Sequence, residues 1–219
     1  MKSLFKDALI LFIITLVAGV TLGFVYELTK EARDEQAVIK QNNAYKAVFE
    51  ECEEFKDKDV DMSSITFEEM SVDAIAGLSD SLSEAGYSSS VVTVDGVAQF
   101  LSGTNTYGYV VTVTAKEGYG GDIQFTVGFD MEGTVTGVSM LSISETAGLG
   151  MKAKEAKFLN QYVGKSGGSF VVNKDNSAGA ANEIDAISGA TVTTRAVTKG
   201  VNAAYITVTQ ILNGGDINE

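Results

Sequence analysis

The hydrophobic positions of this 219-residue chain follow three patterns, and the first is an unbroken apolar run near the N-terminus. Residues 8–26 read ALILFIITLVAGVTLGFVY and contain no charged side chain. As a helix this run is about 28 Å long, close to the hydrocarbon thickness of a bilayer. Because an amphipathic helix of a soluble protein is not apolar on all sides, the run predicts a transmembrane helix.

A cleaved signal peptide is the alternative interpretation of this run, because Lys2 and Lys6 give it a positively charged start. The run is, however, longer than the apolar core of a usual signal peptide, and no Ala-x-Ala-like cleavage site follows it. We therefore predict an uncleaved single-pass anchor over residues 1–27. Basic residues flank both ends of the run, so the positive-inside rule favours a cytoplasmic N-terminus only slightly.

The second pattern consists of short segments rich in β-branched and aromatic residues, which is typical of strands. They occupy residues 107–115, 123–129 and 135–143. The intervening segments, residues 117–121 and 130–133, contain the glycines that mark tight turns. This arrangement predicts an antiparallel meander of at least three strands.

The third pattern is a helical stripe near the C-terminus. The apolar residues recur at alternating spacings of four and three, which places them on one face of a helix: Val197, Val201, Ala204, Val208 and Ile211. Several are β-branched and form helices weakly, so packing against the sheet must stabilise this helix. Strands followed by helices, without β-α-β alternation, indicate the α+β class.

The segments between these patterns are less regular. Residues 27–55 predict a helix that leaves the membrane and continues as an amphipathic helix, and residues 151–163 also look helical. Residues 57–90 are polar and irregular. After the anchor we therefore expect a helical and irregular connecting part over residues 28–100 and a folded domain over residues 101–219.

Composition excludes several kinds of chemistry. The chain has no His, no Pro, no Trp and a single cysteine, Cys52. It therefore supplies no Ser-His-Asp triad, His-ligated haem, disulfide or iron–sulfur cluster, and no catalytic or metal-ligand set is predicted. A net charge of −13 without a Lys/Arg cluster argues against nucleic-acid binding. Redox or group-transfer chemistry would need an organic cofactor.

The segment DAISGATVTT precedes the last predicted helix. Free N–H groups at a helix N-terminus favour an anion, and Gly189 and Ala190 would let it approach the backbone closely. Alternatively, Ser188, Thr191 or Thr193 caps the helix, as those residue types commonly do. The residues alone leave both interpretations open.

The sequence Asp-x-x-Ser-Gly-Ala-Thr, from Asp185 to Thr191, resembles the flavinylation motif of FMN-binding domains in membrane electron-transport complexes. Residues 145–150 resemble the Glu-Thr-Pro-Gly-Leu-Gly loop of the same family, with Ala147 in the place of Pro. The family's Gly-Tyr-Gly-Gly turn matches residues 118–121. The three motifs occur in the family's order behind one anchor, so residues 101–219 are identified as an FMN-binding domain.

This resemblance implies a covalent cofactor. In the family a flavin transferase joins the phosphate of FMN to the last threonine of the motif, here Thr191, and the acidic residue, here Asp185, helps the transferase recognise its target. The remaining residues implied to surround the flavin come from the same two motifs: Ser188, Gly189, Ala190, Glu145, Thr146, Gly148 and Leu149. Leu149 would be an apolar cover, whereas Tyr119 either stacks on the flavin or only packs.

The resemblance is closest to the G subunit of the Rnf-type ion-translocating ferredoxin:NAD⁺ oxidoreductase complex. It implies an N-terminal transmembrane helix followed by an antiparallel sheet flanked by helices, acting as an electron carrier rather than a stand-alone enzyme. The implied partners are the other membrane and peripheral subunits, including a second flavin subunit, the flavin transferase and membrane lipid. The implied location is the cell membrane, with the flavin domain on the extracytoplasmic side.

The sequence leaves three alternatives for the function of the chain. One is the C subunit of a sodium-translocating NADH:quinone reductase, which shares the motifs but is usually longer. Another is a flavinylated domain that serves extracellular electron transfer outside such a complex. The third is an anchored structural module without a redox role, in which Ser-Gly-Ala-Thr only caps a helix.

Overall fold

The computed structural model describes residues 2–50, 65–167, 169–175, 177 and 179–214. Cys52 lies outside these residues. The chain forms two compact units, residues 1–41 and residues 42–219.

The first unit is helical. It consists of the greater part of helix α1 (Lys2–Glu50). This helix is long and apolar enough to cross a membrane, judged by length and composition. Large apolar side chains from Leu9 to Leu28 are exposed along it. Bilayer hydrocarbon would cover such side chains, as expected for a membrane anchor.

The second unit is built on a five-stranded antiparallel sheet in which each strand pairs with the next along the chain. The strands are β1 (Ile65–Met70), β2 (Val92–Ser102), β3 (Asn105–Ala115), β4 (Ile123–Asp130) and β5 (Val135–Ser142). The three predicted strands correspond to β3, β4 and β5. The predicted α+β class, with helices beside an antiparallel sheet, is confirmed.

Strands β1 and β2 come from the range that was expected to connect the anchor to the folded domain. The expected boundary at residue 101 falls inside β2. Asp95 and Gly96 interrupt the apolar pattern of β2, and the pairing register shifts there. Bulges of this kind break the period of two by which strands are recognised. A short 3₁₀ helix (Val72–Ala74) and helix α2 (Leu78–Glu84) join the two strands.

Helix α4 (Thr191–Leu212) covers one face of the sheet. The predicted apolar stripe is confirmed, because its five residues are all buried in the core shared with the sheet. Their partners on the sheet include Val111, Val113, Phe125 and Val127. Burial of these side chains stabilises a helix whose β-branched residues are weak helix formers.

The last turns of α1 cover the opposite face of the sheet. Tyr45, Val48 and Phe49 are buried there, and the ring centroid of Phe49 lies 4.0 Å from that of Phe100 in β2. The Tyr45 hydroxyl lies 3.3 Å from the Thr112 hydroxyl. The buried face of the last turns of α1 therefore belongs to the core of the second unit.

Glycines in β4 and β5 allow this close packing. A Cβ atom at Gly137 would lie 2.6 Å from the carbonyl oxygen of Val48, and one at Gly128 would lie 2.7 Å from Val48 Cγ2. Such distances are shorter than real Cβ contacts. The last turn of α1 therefore lies directly on the backbone of the sheet.

The segment between β5 and α4 is mostly irregular. Residues 151–163, predicted to be one helix, instead contain a 3₁₀ helix (Gly150–Lys154) and the single-turn helix α3 (Ala156–Leu159). The break has a local cause, because Glu155 between them is extended, with φ −78° and ψ 140°. The parallel strands β6 (Val171–Asn173) and β7 (Glu183–Asp185) follow, and β7 leads into the turn before α4.

Candidate functional site

The N-terminus of α4 is not capped by a side chain. The N-cap position is Ala190, which has no polar side chain. Within the described part of the chain, the hydroxyls of Ser188, Thr191 and Thr193 make no hydrogen bond. Because the first N–H groups of a helix have no intrahelical partner, those of α4 are available to a ligand. The helix-cap interpretation of this motif therefore fails.

The turn before α4 is held by backbone geometry and by one buried hydroxyl. The Ala190 N–H donates to the Ile187 carbonyl at 2.9 Å, and Gly189 has φ +76°, a conformation that favours glycine. The Thr194 hydroxyl accepts from the Ile187 N–H and donates to the Ala190 carbonyl, both at 3.0 Å. The sequence therefore fixes a tight turn at the start of the helix.

The loop that follows β5 lies beside the start of α4. Glu145 Oε1 accepts a hydrogen bond of 3.2 Å from the Gly120 N–H in the turn between β3 and β4. A Cβ atom at Gly118 would lie 2.9 Å from the same oxygen, and one at Gly150 would lie 2.6 Å from Glu145 Oε2. The glycines of both motifs thus make room for the Glu145 side chain.

The three sequence motifs meet at one cavity of about 540 Å³. Its lining comes from the β3–β4 turn, the loop after β5 and the start of α4: Tyr119, Glu145, Thr146, Leu149, Gly150, Gly189, Ala190, Thr191, Val192 and Thr193. A Cβ atom at Gly189 would lie 3.0 Å from Leu149 Cδ2, so the helix start and the loop are close neighbours.

Not every predicted residue borders this cavity. Asp185 and Ser188 line a neighbouring cavity of about 500 Å³, together with Lys152 and Lys157. The backbone of Asp185 is fixed there, because its N–H donates to Gln161 Oε1 at 2.7 Å. Gly148 contributes no lining to either cavity but has φ +76° in the loop.

The four hydroxyls around the motif have different surroundings. Thr194 is fully buried and hydrogen-bonded, and Thr193 is only 1% exposed. Ser188 is exposed but borders the neighbouring cavity. Thr191 is half-buried, has no hydrogen-bond partner among the described residues and borders the larger cavity. Of the four, Thr191 is therefore the hydroxyl best placed to react with a group in this cavity.

Sequence reasoning missed Gly150, Val192 and Thr193 as lining residues. Val192 is 49% exposed at the cavity, near Leu149 (42% exposed) and Tyr119 (75% exposed). The signal that could have indicated Val192 is its position, because it is an apolar residue that lies outside the apolar stripe of α4. Together these three side chains give the cavity an apolar rim.

Comparison with known proteins shows which family the chain belongs to. The sequence profile of the FMN-binding domain family matches residues 118–206, a range that includes every lining residue. The chain is also 32% identical over 202 residues to the G subunit of the Na⁺-translocating ferredoxin:NAD⁺ oxidoreductase complex of Acetobacterium woodii, covering 92% of this chain and 89% of that protein. The chain belongs to this G-subunit family. The predicted family and electron-transfer role are thereby confirmed.

Two further proteins are similar to the chain. The G subunit of the proton-translocating ferredoxin:NAD⁺ oxidoreductase complex of Clostridium ljungdahlii is 40% identical over 112 residues, which cover 51% of this chain and 59% of that protein. The crystal structure of NqrC from Shewanella oneidensis is 18% identical, with a TM-score of 0.51 over 74% of this chain and 88% of that chain. The latter likeness shows the fold alone. The covalent bond to Thr191 stays a prediction.

Proposed function

We propose that this G-subunit chain carries FMN covalently, through its phosphate, on Thr191. The observation that carries the proposal is the position of the Thr191 hydroxyl, which is partly exposed, has no hydrogen-bond partner among the described residues and borders the cavity. The uncapped N–H groups of α4 and the dipole of its 22 residues favour an anion beside that hydroxyl.

The residues around the cavity fit such a group. Glu145 Oε2 is buried without a hydrogen-bond partner among the described residues. A buried acceptor without a donor is unfavourable, so an N–H group supplied by a ligand would stabilise it. The apolar rim of Tyr119, Leu149 and Val192 supplies contact area for an aromatic ring.

Bound FMN would supply the ability to accept one or two electrons. The chain's own residues would position the cofactor. Thr191 would fix its phosphate end, Glu145 would accept a hydrogen bond, and Leu149 would exclude water from one side of the ring. The role of the domain is therefore to hold a redox group in place rather than to bind a separate substrate.

Attachment needs an external enzyme and an activated flavin. We propose that a flavin transferase supplies a flavin dinucleotide as the donor. The bond between Thr191 Oγ1 and phosphorus forms as the phosphoanhydride bond breaks. A nucleoside monophosphate leaves, and the hydroxyl proton is released with it. No electron is gained or lost in this step.

Asp185 is our candidate for recognition by the transferase, since it lies outside the flavin cavity but close to the attachment turn. We expect Asp185→Ala to lower the extent of flavinylation severalfold when the transferase is limiting. The loss of stability should stay within about 2 kcal/mol, the upper end for a local helix contact. Flavin per chain, measured by absorbance after purification, tests this expectation. Full flavinylation of the variant would contradict it.

The partners follow from the same assignment. The relatives' names describe subunits of ferredoxin:NAD⁺ oxidoreductase complexes, so we propose that this chain assembles with the other subunits, including a second flavin subunit. Membrane lipid would surround the apolar part of α1, whose side chains are exposed. The flavin domain would lie on the extracytoplasmic side.

Labelling of a single introduced cysteine tests this orientation. In a Cys52→Ser background, Lys174→Cys places a thiol at an exposed position of the second unit. We expect this thiol to react with a membrane-impermeant maleimide in intact cells. The Cys52→Ser parent, which has no cysteine, is the control. Labelling that appears only after the membrane is opened would place the domain in the cytoplasm.

The covalent cofactor itself is tested in a denaturing gel. The full-length chain, produced together with a flavin transferase, should give a fluorescent band at its own mass. The same chain produced without the transferase should give none. A noncovalent flavin would be lost on denaturation, so a dark band in both samples would overturn the proposal.

A further inference from the structure

The solvent-facing side of α4 carries a row of residues that begins at the proposed attachment site. Thr191, Arg195 and Lys199 follow one another at intervals of four, so they lie along one side of the helix. Arg195 is exposed, and Thr191 and Lys199 are partly exposed. The row therefore extends from the flavin cavity along the surface.

The cation at the far end of this row is already paired. Lys199 Nζ forms an ion pair with Glu117, which opens the β3–β4 turn. Tyr119 of that turn borders the flavin cavity. The ion pair thus places this turn beside the row, one helical turn beyond Arg195.

Arg195 has no such partner. Among the described residues its guanidinium takes part in no hydrogen bond, ion pair or ring contact. The first turn of α4 contains no acidic residue either. In a chain of net charge −13, Arg195 is therefore a cation one turn from Thr191 that no described residue compensates.

The geometry of a helix directs this cation toward Thr191. Side chains four residues apart have Cβ atoms about 5–6 Å from each other, and long side chains lean toward the helix N-terminus. A side chain at position 195 can therefore reach the turn that contains Thr191. An arginine also presents paired N–H donors that match the oxygens of a phosphate group.

We propose that Arg195 pairs with the phosphodiester formed on Thr191 and so positions the phosphate end of the cofactor. This inference rests on the proposed function. It assigns a role to a residue outside the flavinylation motif. Before attachment Arg195 has no partner among the described residues, and after attachment it offsets the negative charge that the phosphodiester adds.

Chemical modification of arginine gives a readout that does not depend on electron transfer. The chain contains only two arginines, Arg33 in the first unit and Arg195 in the second, so Arg33 is an internal control. The full chain in detergent is treated with phenylglyoxal in flavinylated and unflavinylated form, and each site is quantified by peptide mass spectrometry. We expect flavinylation to slow modification of Arg195 severalfold and to leave Arg33 unchanged. Equal rates at Arg195 in both forms would overturn the inference.

Stability measurements separate an ion pair from simple shielding by the cofactor. The ratio of folded to unfolded chains is measured for each variant by chemical denaturation, with and without the flavin. Loss of the pair in Arg195→Gln should reduce the folded-to-unfolded ratio of the flavinylated form about two- to fivefold relative to the unflavinylated form, as for an exposed charge pair. Arg195→Lys keeps the charge and should retain part of this difference.

Lys199→Gln is the matched control, because it removes the neighbouring ion pair and should affect both forms equally. An Arg195→Gln effect that is the same in both forms would overturn the inference, even if phenylglyoxal modification were slowed. These outcomes are distinguishable from failure of the proposed function. A wild-type chain without covalent flavin overturns both, whereas a flavinylated wild type without the Arg195 effects overturns only the inference.

Discussion

Replacement of Thr191 by valine is expected to abolish covalent flavin and to leave the fold intact. Valine keeps the shape and β-branching of threonine but has no nucleophilic oxygen. The Thr191 hydroxyl makes no hydrogen bond among the described residues, so its loss leaves no partner unsatisfied. The free energy of unfolding of the unflavinylated chain should therefore change by only about 0.5 kcal/mol. Fluorescence of the denatured protein and its intact mass measure the loss of flavin.

Thr193→Val is the control for this substitution. Thr193 lies two residues further along α4 and borders the same cavity, but it is only 1% exposed. We expect the Thr193 variant to keep its covalent flavin, and Thr191→Ser, which retains a hydroxyl, to keep at least part of it. A fluorescent Thr191→Val protein would show that another residue is the attachment site.

The second large effect is expected at the sheet face that contacts the end of α1. In Gly137→Ala the new Cβ atom would lie 2.6 Å from the Val48 carbonyl oxygen and 2.7 Å from Val48 Cα. The neighbour is helix backbone, so no side-chain rotation relieves the contact. We expect a loss of about 3 kcal/mol in the free energy of unfolding, the upper end for overpacking. Chemical denaturation of the full-length protein in detergent measures it.

Gly96→Ala is the matched control, because Gly96 is also a strand glycine but has open space around its Cβ position. It should change stability by less than about 1 kcal/mol. Equal losses for the two variants would show that backbone entropy, rather than contact with α1, sets the effect. That result would contradict the packing of Tyr45, Val48 and Phe49 on the sheet.

Elements with an uninterrupted pattern were predictable from the sequence. The apolar run of α1 has no charged residue, strands β3 to β5 are rich in β-branched and aromatic residues between glycine turns, and helix α4 keeps one apolar stripe over its length. The turn before α4 was also predictable, because glycine and other small residues directly before a helix are typical of a tight turn, and Gly189 has the positive φ that favours glycine. The local sequence pattern therefore predicts the main helices and strands, and the family resemblance predicts the flavin motif.

The features that could not be predicted depend on contacts between residues that are far apart in the sequence. The period of β2 is broken by its bulge at Asp95 and Gly96, so β2 is recognised by its pairing with β3 rather than by its own pattern. The end of α1 joins the core because Gly128 and Gly137, far along the chain, leave space for Val48. Likewise, no local pattern shows that Glu145 reaches the turn at Gly120.

The position of the flavin on the wild-type chain tests the central claim most directly. Trypsin cleaves after Lys174 and Arg195, so one peptide, residues 175–195, contains all four candidate hydroxyls. In protein produced with the transferase, fragmentation of this peptide should assign the mass of FMN less one water to Thr191. The same mass on Ser188, Thr193 or Thr194, or an unmodified peptide, would contradict the account.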